Sequence, residues 1–385
     1  MRGPLPGGLS LQDVDRARAR LAAHVVRTPL VRSAELSRLT GADVYLKLEN
    51  LQRTGSFKLR GALNAVLALS DEQRSRGVVT VSTGNHGRAV AFACSQAGAR
   101  AVVCLSRLVP RNKVSAVEEQ GAEVRVVGAS QDEAQREAAR LVSEQGMALI
   151  PPFDHAEVIA GQGTIGTEVN EQLAELAGAD RNGGLLRMIV PLSGGGLIAG
   201  VALALKSLDP RVTITAVSME RGCAMYRSLE AGKPVEVEEP ESLADSLGGG
   251  IGRDNRFTFE MVRSLVDEHL LVGEESLAAA IGHAHWMEGQ VVEGAGAVGI
   301  AGLLAEAAGR KAAPGVYSTN VSDSRHRDHG RFETTVVLLS GGNIDGELHA
   351  RLTAAYDGSA AEQQGRAGVT RTAPTKGSRP DRGGD

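Results

Sequence analysis

From about residue 56 to residue 150, short apolar runs alternate with longer stretches whose apolar residues recur at helical spacing. Val78–Val81, Ala101–Leu105 and Val124–Val127 read as strands, because each is a short apolar run bounded by polar turns. Ala62–Leu69, Ala89–Gln96, Lys113–Glu119 and Gln131–Glu144 read as the helices around and between them. A second run begins near Ile159. It predicts a helix over Thr164–Leu176, a strand at Met188–Pro191, a helix over Gly196–Leu208 and a strand at Thr213–Val217. Ala278–Met287 and the stretch after Ala295 add helices, and Thr335–Leu339 reads as the last strand of the larger sheet. Near the start, Ser10 is a candidate N-cap, with Val14, Ala17 and Leu21 at helical spacing. Arg27-Thr28-Pro29 closes that helix, and Val44–Glu49 alternates like a strand.

Strand-helix repetition through short turns is the signature of parallel sheet with crossover helices. Two open parallel-sheet α/β domains, with helices on both faces, fit the pattern better than one long sheet. Residues 1–75 and 158–350 are expected to form a large domain, and residues 76–157 a small one. Two segments stand outside the periodicity. Residues 313–333 are polar and charged and read as a surface insertion loop, His326 and His329 included, since Arg and Asp surround them. Residues 356–385 are poor in apolar side chains and are expected to be a disordered tail.

At 385 residues the chain is long enough for two cores. A net charge of −4 gives no general attraction to nucleic acid or anionic membrane, and 3% aromatics make no platform for stacking bases. Three cysteines without CxxC spacing read as reduced structural thiols. No apolar run reaches the roughly 20 residues of a membrane span. The first residues also lack the apolar core and cleavage site of a secretory signal. A cytoplasmic location is therefore the expectation.

Four segments carry candidate chemistry. In Ser56-Phe57-Lys58-Leu59-Arg60-Gly61-Ala62 a lysine opens an apolar helix; burial there disfavours the ammonium and leaves an amine able to attack an aldehyde. Ser82-Thr83-Gly84-Asn85-His86-Gly87 joins an apolar strand to a helix, where hydroxyls, an amide and free N–H groups make a cradle for a carboxylate. Ser193-Gly194-Gly195-Gly196-Leu197 lets backbone amides converge on a phosphate at a helix N-terminus. Ser340-Gly341-Gly342-Asn343 ends the last strand, where open α/β sheets bind their ligands. Taken singly, each is equally a plain turn or a solvated lysine. The third also matches a dinucleotide fingerprint, with Gly194, Gly196 and Ala199 followed by Glu220 beyond the next strand. A nicotinamide-dependent oxidoreductase is the rival on that stretch.

The four segments together, in this order, resemble the fold-type II (tryptophan-synthase-like) pyridoxal-phosphate (PLP) enzymes, and among them threonine dehydratase and serine racemase most. The resemblance covers roughly residues 10–348 and extends to Gln162–Gly166 and Glu293–Ala297. It implies PLP in a cleft between the two domains and Lys58 holding it as a Schiff base, with Phe57 near the ring. Asn85 would bond the ring hydroxyl, the amides of Gly194, Gly195, Gly196 and Leu197 the phosphate, and Ser340 the pyridine nitrogen. Ser82, Thr83 and His86 would line the site for the carboxylate of an amino-acid-like substrate. Lys58, Thr83 and Ser340 are the implied catalytic residues, β-elimination the implied reaction, and a homodimer the implied assembly. Ser82–Val90, Ser106–Pro110 and Ser246–Gly252 with Asp254-Asn255 are similar to the hydroxyectoine-utilisation dehydratase branch.

Departures narrow these expectations. Thr83 stands where serine racemases carry a serine acid/base, so racemisation is disfavoured. Their divalent-cation site needs an Asp where this chain has Tyr226, two residues after Ala224 and six after Glu220. Losing that hard oxygen weakens such a site, and no strong structural metal is expected. No regulatory domain follows Asn343, so amino-acid feedback is not expected. The 313–333 insertion departs from the compact family pattern and puts at issue the strand that presents Ser340.

Overall fold

The computed structural model describes residues 8–82, 84–109, 111–177, 185–309 and 332–356. Helix α1 (Leu11–Leu21) opens at Ser10, whose backbone N–H donates to the Asp13 carboxylate at 2.8 Å. Its buried stripe is the expected Val14, Ala17 and Leu21. Strand β1 (Leu30–Arg32), helix α2 (Ala34–Thr40), strand β2 (Asp43–Leu48) and helix α3 (Lys58–Ala68) follow.

A strand-helix run comes next: α4 (Asp71–Arg76), β3 (Val78–Val81), α5 (Asn85–Ala97), β4 (Ala101–Leu105), α6 (Arg111–Glu118), β5 (Glu123–Val126), α7 (Gln131–Gln145) and β6 (Ala148–Leu149). Its strands form a four-stranded parallel sheet in the order β5-β4-β3-β6. Apolar residues of α3, α5 and α6 cover one face, and Ala134, Ala138 and Leu141 of α7 cover the other.

The second run is α8 (Ala156–Ala177), β7 (Leu186–Pro191), α9 (Gly196–Leu208), β8 (Thr213–Met219), α10 (Ala224–Ala231), α11 (Thr258–Leu265), β9 (Glu268–Val272), α12 (Glu274–Trp286), α13 (Gly294–Ala307), β10 (Thr334–Leu339) and α14 (Gly346–Ala354). Here six strands pair in the order β1-β2-β10-β7-β8-β9. One core, rich in α9 residues such as Ile198, Val201 and Leu205, lies on one side; a second, rich in α12 and α13 residues such as Ile281 and Ile300, lies on the other. The α/β architecture with helices on both faces is thus present. One edge departs from it: β1 runs antiparallel to β2, because the short connection through α2 leaves too little chain for a crossover.

Strand β10 follows the insertion directly and is nonetheless regular. It pairs parallel with β2 from Thr334 to Leu339 and with β7 from Thr334 to Val337, so Ser340 leaves the middle of the larger sheet. The expected 313–333 loop lies outside the described residues except for Phe332 and Glu333, as does the expected tail except for Tyr356. Among the described residues, no helix is long and apolar enough to cross a membrane.

Candidate active site

Lys58 is the first residue of α3, and the segment before it is tied to the end of β10. Phe57 N–H donates to the Ser340 carbonyl at 3.0 Å, Gly342 N–H donates to the Gly55 carbonyl at 2.9 Å, and Ser56 bridges Gly341. The Lys58 Nζ donates to the Pro152 carbonyl at 2.8 Å and lies 5.3 Å from the centre of the Phe57 ring. Burial pushes the amine down to about 8, against the opposing pull of the Glu293 carboxylate. A free amine is thereby accessible near neutral pH.

Behind Lys58 the helix is anchored by charge. Arg60 is wholly buried and forks onto Glu49 (2.9 and 2.7 Å) and Glu168 (2.7 and 2.9 Å). Lys47, also wholly buried, meets the same Glu168 at 2.7 Å and donates to Gln172 and the Thr28 carbonyl. Two cations and two carboxylates close a neutral group, and bidentate pairing gives it a single geometry.

On the smaller sheet's side, α5 begins with Asn85 and His86, both buried. Asn85 Nδ2 donates to Glu293 Oε1 at 2.7 Å. The His86 Nε2 lies 3.0 Å from the Ile150 carbonyl. Burial, reinforced by the nearby Lys58 charge, pushes this imidazole down to about 3. The ring is therefore neutral, its proton sits on Nε2 facing the carbonyl, and Nδ1 is a buried acceptor without a partner among the described residues. Ser82 is half-buried beside it, and a side chain at Gly87 would meet the Ser82 carbonyl at 2.6 Å. Thr83 lies outside the described residues.

The glycine loop joins β7 to α9 and folds against Phe153. A Cβ on Gly194 would overlap the Phe153 ring, and one on Gly196 would stand 2.8 Å from the Phe153 carbonyl. Gly195 has a φ of +90°, a conformation that costs glycine least. The amides of Gly196 and Leu197 thus open the first turn of α9, positive in its dipole and suited to a phosphate. Phe153 is itself held in place, for the neighbouring Asp154 carboxylate accepts from the backbone N–H groups of Phe257 and Thr258, each at 2.9 Å. Ser340 is buried and donates to the Ala295 carbonyl at 3.2 Å.

Apart from Thr83, the structure brings the sequence-predicted residues together at the carboxyl ends of both sheets. It adds Pro152, Phe153, Glu293 and Asn343. The first two carry no chemical signal in sequence; Glu293 and Asn343 stand inside motifs whose glycines and serine carry the signal. The set suits PLP: an amine with lowered pKa for an aldehyde, a glycine loop at a helix N-terminus for a phosphate, and a buried hydroxyl at Ser340. At the candidate cation position, Tyr226 is buried and stands edge-on to His269, with ring centres 6.1 Å apart. Among the described residues no three metal-ligating side chains cluster.

Comparison with known proteins gives the family. The family model for the pyridoxal-phosphate dependent enzymes matches residues 21–322, and the chain belongs to that family. It is 52% identical over 341 residues to a putative threonine dehydratase of Sinorhizobium fredii, covering 89% of this chain and 94% of that one. It is 38% identical to an L-threonine ammonia-lyase of Thermotoga maritima, covering 89% and 78% respectively. Among solved structures, maize serine racemase superposes with a TM-score of 0.76 at 31% identity, covering 93% of this chain and 98% of the other. The processed form of threonine deaminase isoform 2 from Solanum lycopersicum gives 0.74 at 32% identity, covering 91% and 95%.

Proposed function

We propose that this PLP-dependent enzyme is a lyase that removes water and then ammonia from a hydroxy amino acid of the threonine or serine type. The observation that carries the reading is the buried Lys58 amine, with its pKa near 8, at the meeting point of the glycine loop, Asn85 and Ser340. When bound, PLP supplies an electron sink for the negative charge that develops at the substrate Cα. Lys58 would anchor the cofactor through its amine, and the same amine would take the substrate Cα proton. The Gly194–Leu197 amides would hold the phosphate. Asn85 would bond the ring hydroxyl. Ser340 would offer a neutral hydroxyl to the ring nitrogen, which does not enforce protonation there and so would favour quick elimination over transamination. Ser82, Thr83 and the backbone N–H of His86 in the first turn of α5 would receive the substrate carboxylate. The β-hydroxyl leaves with a proton as water, and the released enamine hydrolyses to a keto acid and ammonia.

Two relatives named for threonine dehydratase and threonine ammonia-lyase activity support the reaction class. A finer reading draws on Ser82–Val90, Ser106–Pro110 and Ser246–Gly252: the substrate derives from hydroxyectoine. A cyclic amidine has no primary amine to exchange with Lys58, so a ring-opening hydrolase must act first. The purified holoenzyme, given L-threonine, L-serine, intact hydroxyectoine and its hydrolysed ring-opened form, tests these readings. Keto acid and ammonia from threonine or serine support the first reading, and from the ring-opened compound alone the second. Water loss from intact hydroxyectoine contradicts the mechanism. A new amino acid formed only when sulfide is added makes the enzyme a β-replacement synthase. We propose further that it works as a cytoplasmic homodimer.

A further inference from the structure

Asn343 stands where three segments meet. Its Nδ2 donates to Asn85 Oδ1 at 2.6 Å and to the Thr54 carbonyl at 2.9 Å, while its Oδ1 accepts from Arg88 Nη1 at 3.0 Å. Asn85 Nδ2 in turn donates to Glu293 Oε1 at 2.7 Å. The order of donors and acceptors along this chain is forced. A guanidinium only donates and a backbone carbonyl only accepts, so Arg88 and Thr54 permit one orientation of the Asn343 amide. That orientation offers Asn85 a donor, so the Asn85 oxygen faces Asn343 and its nitrogen faces the Glu293 carboxylate, which is acceptor-only when ionised. Of the two N–H groups on Asn85 Nδ2, one is spent on Glu293. Among the described residues the other meets no acceptor and can donate.

We propose that Asn343 is a positioning residue that fixes the amide of Asn85 and thereby aims its remaining N–H at the cofactor ring hydroxyl, with Arg88 holding Asn343 in place. The proposal rests on the reading that PLP is bound at Lys58 with Asn85 facing its ring. The backbone around Asn343 is shaped for the contact. Gly55 has a φ of +75°, and a Cβ there would stand 2.5 Å from Asn343 Oδ1. A Cβ at Gly342 would meet the Val291 carbonyl at 2.6 Å. Because Thr54 and Gly55 lead directly into Lys58, Asn343 sets the lysine loop and the asparagine loop relative to each other. Arg88 lies on α5 of the smaller sheet, whereas Asn343 follows β10 of the larger one, so the same contact reports how the two halves meet.

The test uses purified holoenzyme carrying Asn343→Asp, Arg88→Ala or Arg88→Lys. Asn343→Asp keeps the acceptor for Arg88 but has no N–H for Asn85 or Thr54. The ratio of visible to near-ultraviolet cofactor absorption, which follows the hydrogen bonding of the ring hydroxyl, is recorded with the cofactor dissociation constant and the melting temperature. The expected result is a shifted band ratio and about tenfold weaker cofactor retention in Asn343→Asp, the equivalent of one lost hydrogen bond. Arg88→Ala is expected to shift the ratio in the same direction, and Arg88→Lys, which restores a donor, to return it toward wild type. Wild-type band ratios in both Asn343→Asp and Arg88→Ala, even with lower melting temperatures, would reduce the cluster to a fold contact and overturn the proposal. A wild-type protein without any lysine-bound cofactor would overturn the underlying reading as well, and the two failures are distinguished by the wild-type spectrum alone.

Discussion

The Lys58 amine donates to the Pro152 carbonyl at 2.8 Å, across 94 positions of chain. Lys58 opens α3, and Pro152 lies in the turn between β6 of the smaller sheet and α8. The reactive amine is thus held at the meeting of two halves by a backbone acceptor, while burial disfavours its charged form.

One consequence is a pH dependence of cofactor loading. With the amine near 8 rather than its ordinary 10.5, the rate at which cofactor-free protein takes up PLP is expected to rise with pH about a midpoint near 8. Between these values the unfolded chain binds more protons than the folded one, so raising the pH through that window stabilises the cofactor-free fold. Stopped-flow absorbance gives the loading midpoint, and urea titrations at pH 8 and near pH 10 give the stability change. A loading midpoint near that of an exposed lysine contradicts the burial argument.

Gly196→Ala is expected to weaken the phosphate site. Its Cβ would stand 2.8 Å from the Phe153 carbonyl, and relieving that overlap moves either the loop or the segment after Pro152, at about 1–3 kcal/mol. Equilibrium dialysis is expected to show faster loss of PLP, and calorimetry a lower melting temperature. Wild-type retention would remove the loop from the phosphate.

Arg60→Met removes one cation from the closed group and leaves Glu49 and Glu168 facing Lys47 alone. Breaking such a buried group costs about 3–5 kcal/mol. Urea unfolding is expected to show that loss as a lower midpoint with an unchanged slope. An unaltered midpoint would mean that the group is not buried as described.

His86 is expected to stay neutral throughout the working range, because its pKa is held near 3. No limb near the ordinary imidazole value should come from it in the pH profile of kcat/KM. Nitrogen NMR should show a protonated Nε2 and a bare Nδ1 down to about pH 5. Since the unfolded chain binds the extra proton at 6.5 and the folded one only near 3, stability from this site is lost as the pH falls through that window. Titration of the folded ring near pH 6 would contradict the assignment.

Much of the fold is legible in the sequence because the sheets are built from short apolar runs: strands Val78–Val81 and Ala101–Leu105, and likewise helix Gly196–Leu208, have the bounds that the pattern predicts. For helix α8 the pattern predicts a start at Thr164, whereas the helix begins at Ala156. Its first turns carry Gly161 and Gly163, which look like breakers in sequence. In the structure they admit neighbouring backbone, for a Cβ on Gly161 would stand 2.6 Å from the Arg60 carbonyl and one on Gly163 3.0 Å from the Gly200 carbonyl. Strand β9 leaves no signal because Glu268 and His269 interrupt an apolar run too short to show a period. In the site, Lys58 and the glycine loop announce themselves by residue type. Pro152 contributes only a carbonyl, and Asn343 acts through Asn85, so neither role exists until the chain is folded.

The most direct test of the account is the visible absorption spectrum of the purified protein before and after borohydride, with mass mapping of the reduced peptide. The account predicts a yellow band that collapses on reduction and a pyridoxyl mass on Lys58. A colourless protein that stays unmodified after incubation with PLP, or a pyridoxyl mass on another lysine, would contradict it.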